Sequence, residues 1–147
     1  MIDISKLTEN LYGQIKSNAS IISDGVKVSV GEYVNMNENN APWVGIYKGN
    51  VDYEPRSMGK HAASWGGTLT VKVVIQEYHG KSGFECEKRL GKLVNNIMNA
   101  VWADPTIGGV VDMLTDISEE YIYNENDSKS VHFQWAILSL TFENRTG

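Results

Sequence analysis

The fold of this chain is decided by one stretch, which reads Thr68-Leu-Thr-Val-Lys-Val-Val-Ile-Gln-Glu-Tyr78 and continues without a break to Trp102. Apolar residues alternate along its first half and share one face: Leu69, Val71, Val73 and Ile75. A period of two, rich in β-branched residues, predicts a strand with one buried side. The stretch therefore begins as a strand of a sheet.

A helix is predicted directly after this strand. Ser82 and Glu85 have the spacing of a capping box, in which each side chain satisfies a free backbone N–H at the helix start. Apolar residues then recur at intervals of three and four, as on a helix that lies against a sheet: Leu90, Leu93, Val94, Ile97, Met98 and Val101. Because Asp104 precedes proline, it disfavours helical dihedrals. We therefore expect the helix to end at Trp102.

The other elements can be placed around this unit. Leu7, Leu11 and Ile15 predict a first helix over Asp3–Ser17, and short strands are predicted over Val26–Val30 and Pro42–Lys48. Tyr33–Ala41 has the composition of a loop. Two long strands close the chain, with the polar hairpin loop Asn124–Ser130 between them. In the first of these strands, the apolar residues all lie at odd positions and so share one face: Val111, Met113, Ile117, Tyr121 and Tyr123.

The last strand changes phase, because Trp135 and Ile137 lie at odd positions whereas Leu138 and Leu140 lie at even ones. Such a change indicates either a β-bulge or burial on both faces. Together these elements predict a single α+β domain over residues 1–147. Its mixed or antiparallel sheet has about four to five strands, with two helices packed on one face.

Composition excludes several classes of protein. The 147 residues carry a net charge of −5, from 18 acidic and 13 basic side chains, and no basic run that would bind a phosphate backbone tightly. Cys86 is the single cysteine, so neither an internal disulfide nor a cysteine-based zinc site can form. No apolar run reaches the roughly 20 residues of a membrane span, and the start lacks a signal-peptide pattern. We therefore expect a soluble protein without a classical export signal.

Catalytic motifs are not recognisable. His61, His79 and His132 have no second histidine at metal-ligand spacing. Asp112 and Asp116 lie at even positions of a predicted strand, opposite its apolar residues and together with other polar side chains. We expect this face of the strand to be in contact with solvent. We expect no catalytic, cofactor or metal site, and a protein that is not an enzyme.

The link Gly49–Gly67 has no clear period and is long for a connection between strands. Aromatic, basic and methionine side chains, which favour protein–protein contact, are unusually frequent in it. We interpret it as a flexible contact arm at about residues 49–67. We also expect Trp43, which precedes the arm, and Trp65, near its end, to be hard to bury in a small core. The candidate contact residues are Trp43, Tyr53, Arg56, Met58, Lys60 and Trp65.

The order of these elements resembles a known family. An N-terminal helix leads to the strand Pro42-Trp-Val-Gly-Ile-Tyr47, and the long arm and the strand Leu69–Ile75 follow. Next come a helix that ends in Trp102-Ala-Asp-Pro-Thr-Ile-Gly-Gly109 and two closing strands. Over most of the chain, this pattern is similar to the tail terminator proteins of long-tailed bacteriophages, which are also called tail completion or tail-to-head joining proteins.

The resemblance implies a structural function. Members of this family have a sheet with helices on one face and form a ring, commonly of six subunits. The ring caps the head-proximal end of the tail tube, stops its growth and offers a surface to the head connector. The family has no catalytic residues to carry over to this sequence.

The partners implied by the resemblance are further copies of the chain in a ring, the tail tube protein and the head-tail connector or stopper protein. DNA is expected only in passage through the ring lumen, and no membrane or cofactor is expected. The location implied is the head-proximal end of the virion tail, and the host cytoplasm during assembly. Two alternatives stay open. The nearer is another structural neck or tail protein, such as a connector, tube or baseplate subunit, and the distant one is a small hydrolase that uses Asp112 or His79.

Overall fold

The computed structural model describes residues 3–31, 42–58, 63–79, 82–123 and 132–144. Within them the helices are α1 (Ile4–Lys16), α2 (Ala19–Ser23) and α3 (Gly83–Trp102). The strands are β1 (Lys27–Val30), β2 (Trp43–Met58), β3 (Ala63–His79), β4 (Met113–Tyr123) and β5 (His132–Asn144). They form one sheet in the order β1-β2-β3-β5-β4, in which β1 is parallel to β2 and all other neighbours are antiparallel. The predicted α+β class and mixed sheet are confirmed.

The helices α1, α2 and α3 pack on one face of the sheet, which we call the inner face. The alternating residues Leu69, Val71, Val73 and Ile75 of β3 are all 0% exposed there. They belong to one core with the apolar stripes of α1 and α3, which include Leu7, Leu11, Ile15, Leu90, Leu93 and Ile97. Burial of each such side chain stabilises the fold by roughly 1.5–3 kcal/mol before entropy is subtracted. The predicted strand and helix are therefore the centre of the core.

The helix boundaries follow from capping hydrogen bonds. Asp3 accepts from the backbone N–H of Lys6 at 3.0 Å, and Ser82 accepts from that of Glu85 at 3.2 Å. The predicted ends of α1 and α3 agree with the structure to within about a residue. The short helix α2 was not predicted. Its cap Asn18 is a clear signal, but five residues are too few to show a helical period.

The loop after α3 is built around the Asp104 carboxylate. Its oxygens accept from the Thr106 hydroxyl at 2.6 Å, the Thr106 N–H at 3.1 Å and the Gly108 N–H at 2.9 Å. Hydrogen bonds from the Thr106 hydroxyl, and then from the Gly108 N–H, hold the pKa of Asp104 below its ordinary value. Ile107 has φ of 50° although it is β-branched, and it is 0% exposed. Burial of its side chain offsets the cost of this backbone conformation.

The change of phase in β5 is not caused by a bulge, because Leu138 and Leu140 are buried on the inner face whereas Trp135 and Ile137 are half-buried on the opposite face. The register between β3 and β5 runs without a shift from Gly67 opposite Asn144 to His79 opposite His132. The bulge lies instead in β4, where Thr115 is the extra residue between two register segments. Because of this bulge, Leu114 lies on the inner face in place of Met113, which was predicted there. Leu114 is accordingly 5% exposed, whereas Met113 is 46% exposed.

Candidate functional site

Region 49–67 is mostly strand, so the expectation of an irregular link between two strands is wrong. The flexibility and the contact role of this region stay predictions. Beyond Tyr53 the strands β2 and β3 continue to pair, from Glu54 opposite Gly66 to Met58 opposite Ala63. The pairing of β5 with β3 ends at Gly67. In the part of the chain that the structure describes, residues 54–58 and 63–66 therefore pair only with each other. We call this two-stranded extension of the sheet the ribbon.

Two bulges in β2 explain why region 49–67 has no clear sequence period. Gly49 and Asn50 together lie opposite Thr70, and a Cβ on Gly49 would meet the Thr70 carbonyl. Arg56 is the extra residue at the second bulge, next to Pro55, which has no N–H to donate to the ladder. Each bulge shifts the side-chain alternation by one position. A strand broken in this way looks irregular in sequence.

The ribbon brings together some of the candidate contact residues. The main chains of Arg56, Met58 and Trp65 all lie in it, with Trp65 opposite Pro55. Tyr53 lies at its base, opposite Gly67, and is half-buried. Lys60 lies outside the described residues, as do His61 and the predicted loops at 33–41 and 124–130.

Trp43 is not part of this surface. It begins β2, and Pro55 lies twelve positions further along the strand, which is roughly 40 Å of extended chain. Its side chain is 3% exposed, and its indole N–H donates to the Ser29 hydroxyl of β1 at 3.1 Å. The expectation that Trp43 is hard to bury is therefore wrong. The reason is Gly45, where a Cβ would lie 2.5 Å from the Trp43 ring, so the missing side chain makes room for the indole.

The sheet face opposite the helices, which we call the outer face, is a second candidate surface. No helix of the described segments packs on it. Its residues form rows of direct neighbours across the strands. One row is Trp43, Gln76, Trp135 and Ile122, and the next is Gly45, Val74, Ile137 and Glu120. Further along, the rows become polar and include Lys72, Ser139, Ser118, Thr70, Thr141 and Asp116. The outer face is thus apolar at one end and polar at the other.

Exposed apolar side chains on α3 were missed by sequence reasoning. Phe84 is 68% exposed near the start of α3, and Trp102 is 51% exposed at its end. The Lys88 ammonium lies 5.3 Å from the centre of the Phe84 ring. The sequence did contain a signal for the exposure of Phe84, because its position does not fall on the apolar stripe of α3 that contains Leu90 and Leu93. Both side chains add apolar surface on the helix side of the molecule.

The described segments contain no group of three or more His, Cys, Asp or Glu residues that could hold a metal ion. The main chains of His79 and His132 lie opposite each other at the ends of β3 and β5. Asp116, Glu119 and Glu120 are exposed on the edge strand β4, in agreement with the predicted solvated position of Asp116. None of the helices described is long and apolar enough to cross a membrane.

Comparison with known proteins does not assign this chain to a family. No family model matches the chain, and no curated protein matches it. One similar solved structure is a chain of the "Virion of native gene transfer agent (GTA) particle", which is 13% identical. The match covers 91% of this chain and 92% of the other, with a TM-score of 0.34. A likeness of this size does not assign a function.

Proposed function

We propose that the protein is a structural component of a long-tailed phage virion and acts as its tail terminator. In this function it forms a ring, of six subunits by the family resemblance, that caps the head-proximal end of the tail tube and performs no catalysis. The observation that carries the proposal is the ribbon, residues 54–58 and 63–66, which extends beyond the packed sheet.

The ribbon suits contact between subunits. A two-stranded hairpin is at best marginally stable in water by itself, because it lacks a packed face. A chain that maintains such an extension gains stability when the extension lies against another protein. Arg56 and Trp65, whose main chains lie in the ribbon, are residue types that dominate binding energy at protein interfaces.

The outer face supports the same proposal. A capping ring needs contacts to its own copies, to the tube below and to a connector above. The ribbon continues two strands of the sheet, and the outer face of that sheet has both an apolar and a polar part. Two surfaces of different chemistry allow a subunit to bind the tube on one side and reject a further tube ring on the other.

The order of elements is also consistent with the resemblance. A helix, a strand, a long extension, a strand and a second long helix occur in that sequence, and two antiparallel strands close the chain. The segment Trp102–Gly109 forms the loop that Asp104 holds together. These features agree with the family pattern at the level of architecture.

Shortening the ribbon tests the proposal. Residues 55–65 are replaced by Asn-Gly, a two-residue turn that can join Glu54 to its partner Gly66. The shortened subunit should keep its melting curve, because the core residues are unchanged. It should fail to form rings or to cap isolated tail tubes in electron micrographs, where the unaltered protein does both.

Phe84→Ser serves as the matched control, since it removes an exposed apolar group from the helix side instead. It should form rings and cap tubes normally. A shortened subunit that caps tubes as well as the unaltered protein would refute the function assigned to the ribbon. Rings that bind along the tube wall or to heads alone would favour a tube or connector subunit.

A further inference from the structure

A small cavity lies beside α3, at the end of β3, well away from the ribbon. Its volume is about 270 Å³, which is enough for one long side chain. One part of its wall is apolar and consists of Val26, Pro42 and Leu93. Charged residues form the rest of the wall, with Glu77 from β3, Asp24 from the end of α2, and Arg89 and Lys92 from α3.

Glu77 is the unusual member of this cavity. The residue is only 7% exposed, yet its carboxylate accepts just one hydrogen bond within the described chain, from the N–H of Tyr78 at 3.1 Å. Burial raises the pKa of Glu77, and the Tyr78 N–H and the nearby Arg89 charge oppose this rise only in part. A buried carboxylate with so few donors is costly, and each further donor would stabilise it.

The nearby cations have other partners. The Lys92 ammonium lies 3.9 Å from the Asp24 carboxylate, and the Arg89 guanidinium donates to the Tyr78 carbonyl at 3.4 Å. Neither forms an ion pair with Glu77 among the residues described. The Lys92 side chain is 70% exposed, so water screens its charge far more than it screens that of Glu77. Among the charged residues that line the cavity, Glu77 is the buried one, whereas Asp24, Arg89 and Lys92 are exposed.

We propose that this cavity binds a Lys or Arg side chain of a partner protein, with Glu77 as the carboxylate that holds the cation. The apolar wall suits the aliphatic stem of such a side chain, and its charged end supplies the donors that Glu77 lacks. Only the identity of the partner, another structural protein of the virion, rests on the proposed function. The proposal of a cation site is supported independently by the cavity and by the burial of Glu77.

The binding should depend on pH. A cation favours the ionised carboxylate, so binding lowers the pKa of Glu77 and releases a proton when the group was protonated. The affinity should fall as the pH decreases through the pKa of Glu77. Asp24 from α2 and Arg89 and Lys92 from α3 are the other charged groups that line the cavity.

The test titrates the full chain with capped amino acids and follows the backbone amide signals of Tyr78 and Leu93 by NMR. The probes are N-acetyl-arginine methylamide and its glutamine and glutamate counterparts. The arginine probe should shift both signals in a saturable way, and the other two should not. Glu77→Gln should weaken arginine binding by about tenfold or more, the loss expected when a partly buried ion pair is removed. Glu87→Gln, the same change at an exposed position of α3, should leave it unchanged.

Three results would overturn the proposal. The first is tighter binding of the glutamate probe, which would make Arg89 and Lys92 the site of an anion. The second is equal arginine binding by the Glu77→Gln variant, and the third is the lack of any saturable shift. Each leaves the tail terminator function untouched, because the isolated chain is used. Conversely, a chain that binds arginine but never caps tubes would contradict the proposed function alone.

Discussion

The side-chain amide of Gln14 donates to the backbone carbonyl of Ala100 at 2.8 Å and thereby joins α1 to the C-terminal end of α3. The same amide nitrogen lies 3.0 Å from the carbonyls of Val101 and Asp104. One turn earlier, Asn10 donates to the Ile107 carbonyl at 3.3 Å. The last carbonyls of a helix have no partner within the helix, so α1 supplies the donors that α3 lacks.

Replacement of Gln14 by Ala should therefore lower the free energy of unfolding by about 1–3 kcal/mol, because it leaves part-buried carbonyls without a donor. Chemical denaturation measures the difference. Glu9→Ala, on an exposed position of α1, is the control and should stay within about 0.5 kcal/mol of the unaltered chain. Equal stability of both variants would mean that the Gln14 contacts contribute nothing.

Gly45→Ala should destabilise the protein, because the new methyl group would lie 2.5 Å from the Trp43 ring and 2.9 Å from the Tyr47 ring. We expect a loss of about 1–3 kcal/mol and a changed tryptophan fluorescence spectrum.

Gly91→Ala is the matched control, since no atom lies within 4 Å of the position of its Cβ. Gly91 lies inside α3, so this substitution should stabilise the protein by up to about 1 kcal/mol. If both glycine substitutions changed stability in the same direction, the packing described for Trp43 would be wrong.

The contrast between Trp43 and Leu69 shows what could be predicted from sequence. Leu69, Val71 and Val73 alternate because one face of β3 is buried under α3, and burial of one face leaves a period of two in the sequence. The indole of Trp43 is buried by a local arrangement with Gly45 and Ser29 that produces no period. The strand was therefore predicted, and the burial of the tryptophan was not.

The ribbon was missed for a related reason. Its strands pair only with each other among the described residues, and the bulge at Arg56 interrupts the side-chain alternation of β2. Pro55 and Gly49 also mark bulges, and in sequence these residues are typical of loops. The composition of this segment indicated a contact element, but its interrupted alternation hid the strand structure.

The Asp104 loop should make stability depend on pH. Because the folded pKa of Asp104 lies below its unfolded value, its contribution is present above the unfolded pKa and is lost as the pH falls through the folded one. Asp104→Asn should therefore melt at a lower temperature than the unaltered chain at pH 7, and the difference should shrink in acid. Asp116→Asn, on the exposed edge strand, should show no such difference. A constant difference between the Asp104→Asn variant and the unaltered chain at all pH values would contradict this role of the carboxylate.

Glu77 should have the opposite effect. Its folded pKa is raised above the ordinary value of 4.5, so the folded state binds the proton more tightly than the unfolded state does. Stability should fall as the pH rises from about 4.5 through the folded pKa. Glu77→Gln should thus melt above the unaltered chain at pH 8 and close to it at pH 4. If Glu77→Gln were less stable than the unaltered chain at pH 8, the ionised carboxylate of Glu77 would already have sufficient hydrogen-bond donors, and this prediction would be wrong.

The length of tails assembled without this protein tests the central claim most directly. Electron micrographs of lysates from a phage that lacks the gene for this chain give the length distribution and the fraction of tails joined to heads. A tail terminator is the component that stops tube growth and permits joining, so the account predicts tails of variable excess length and free, unjoined heads. Tails of normal length, or the absence of any tube, would contradict it and favour a connector or a tube subunit instead.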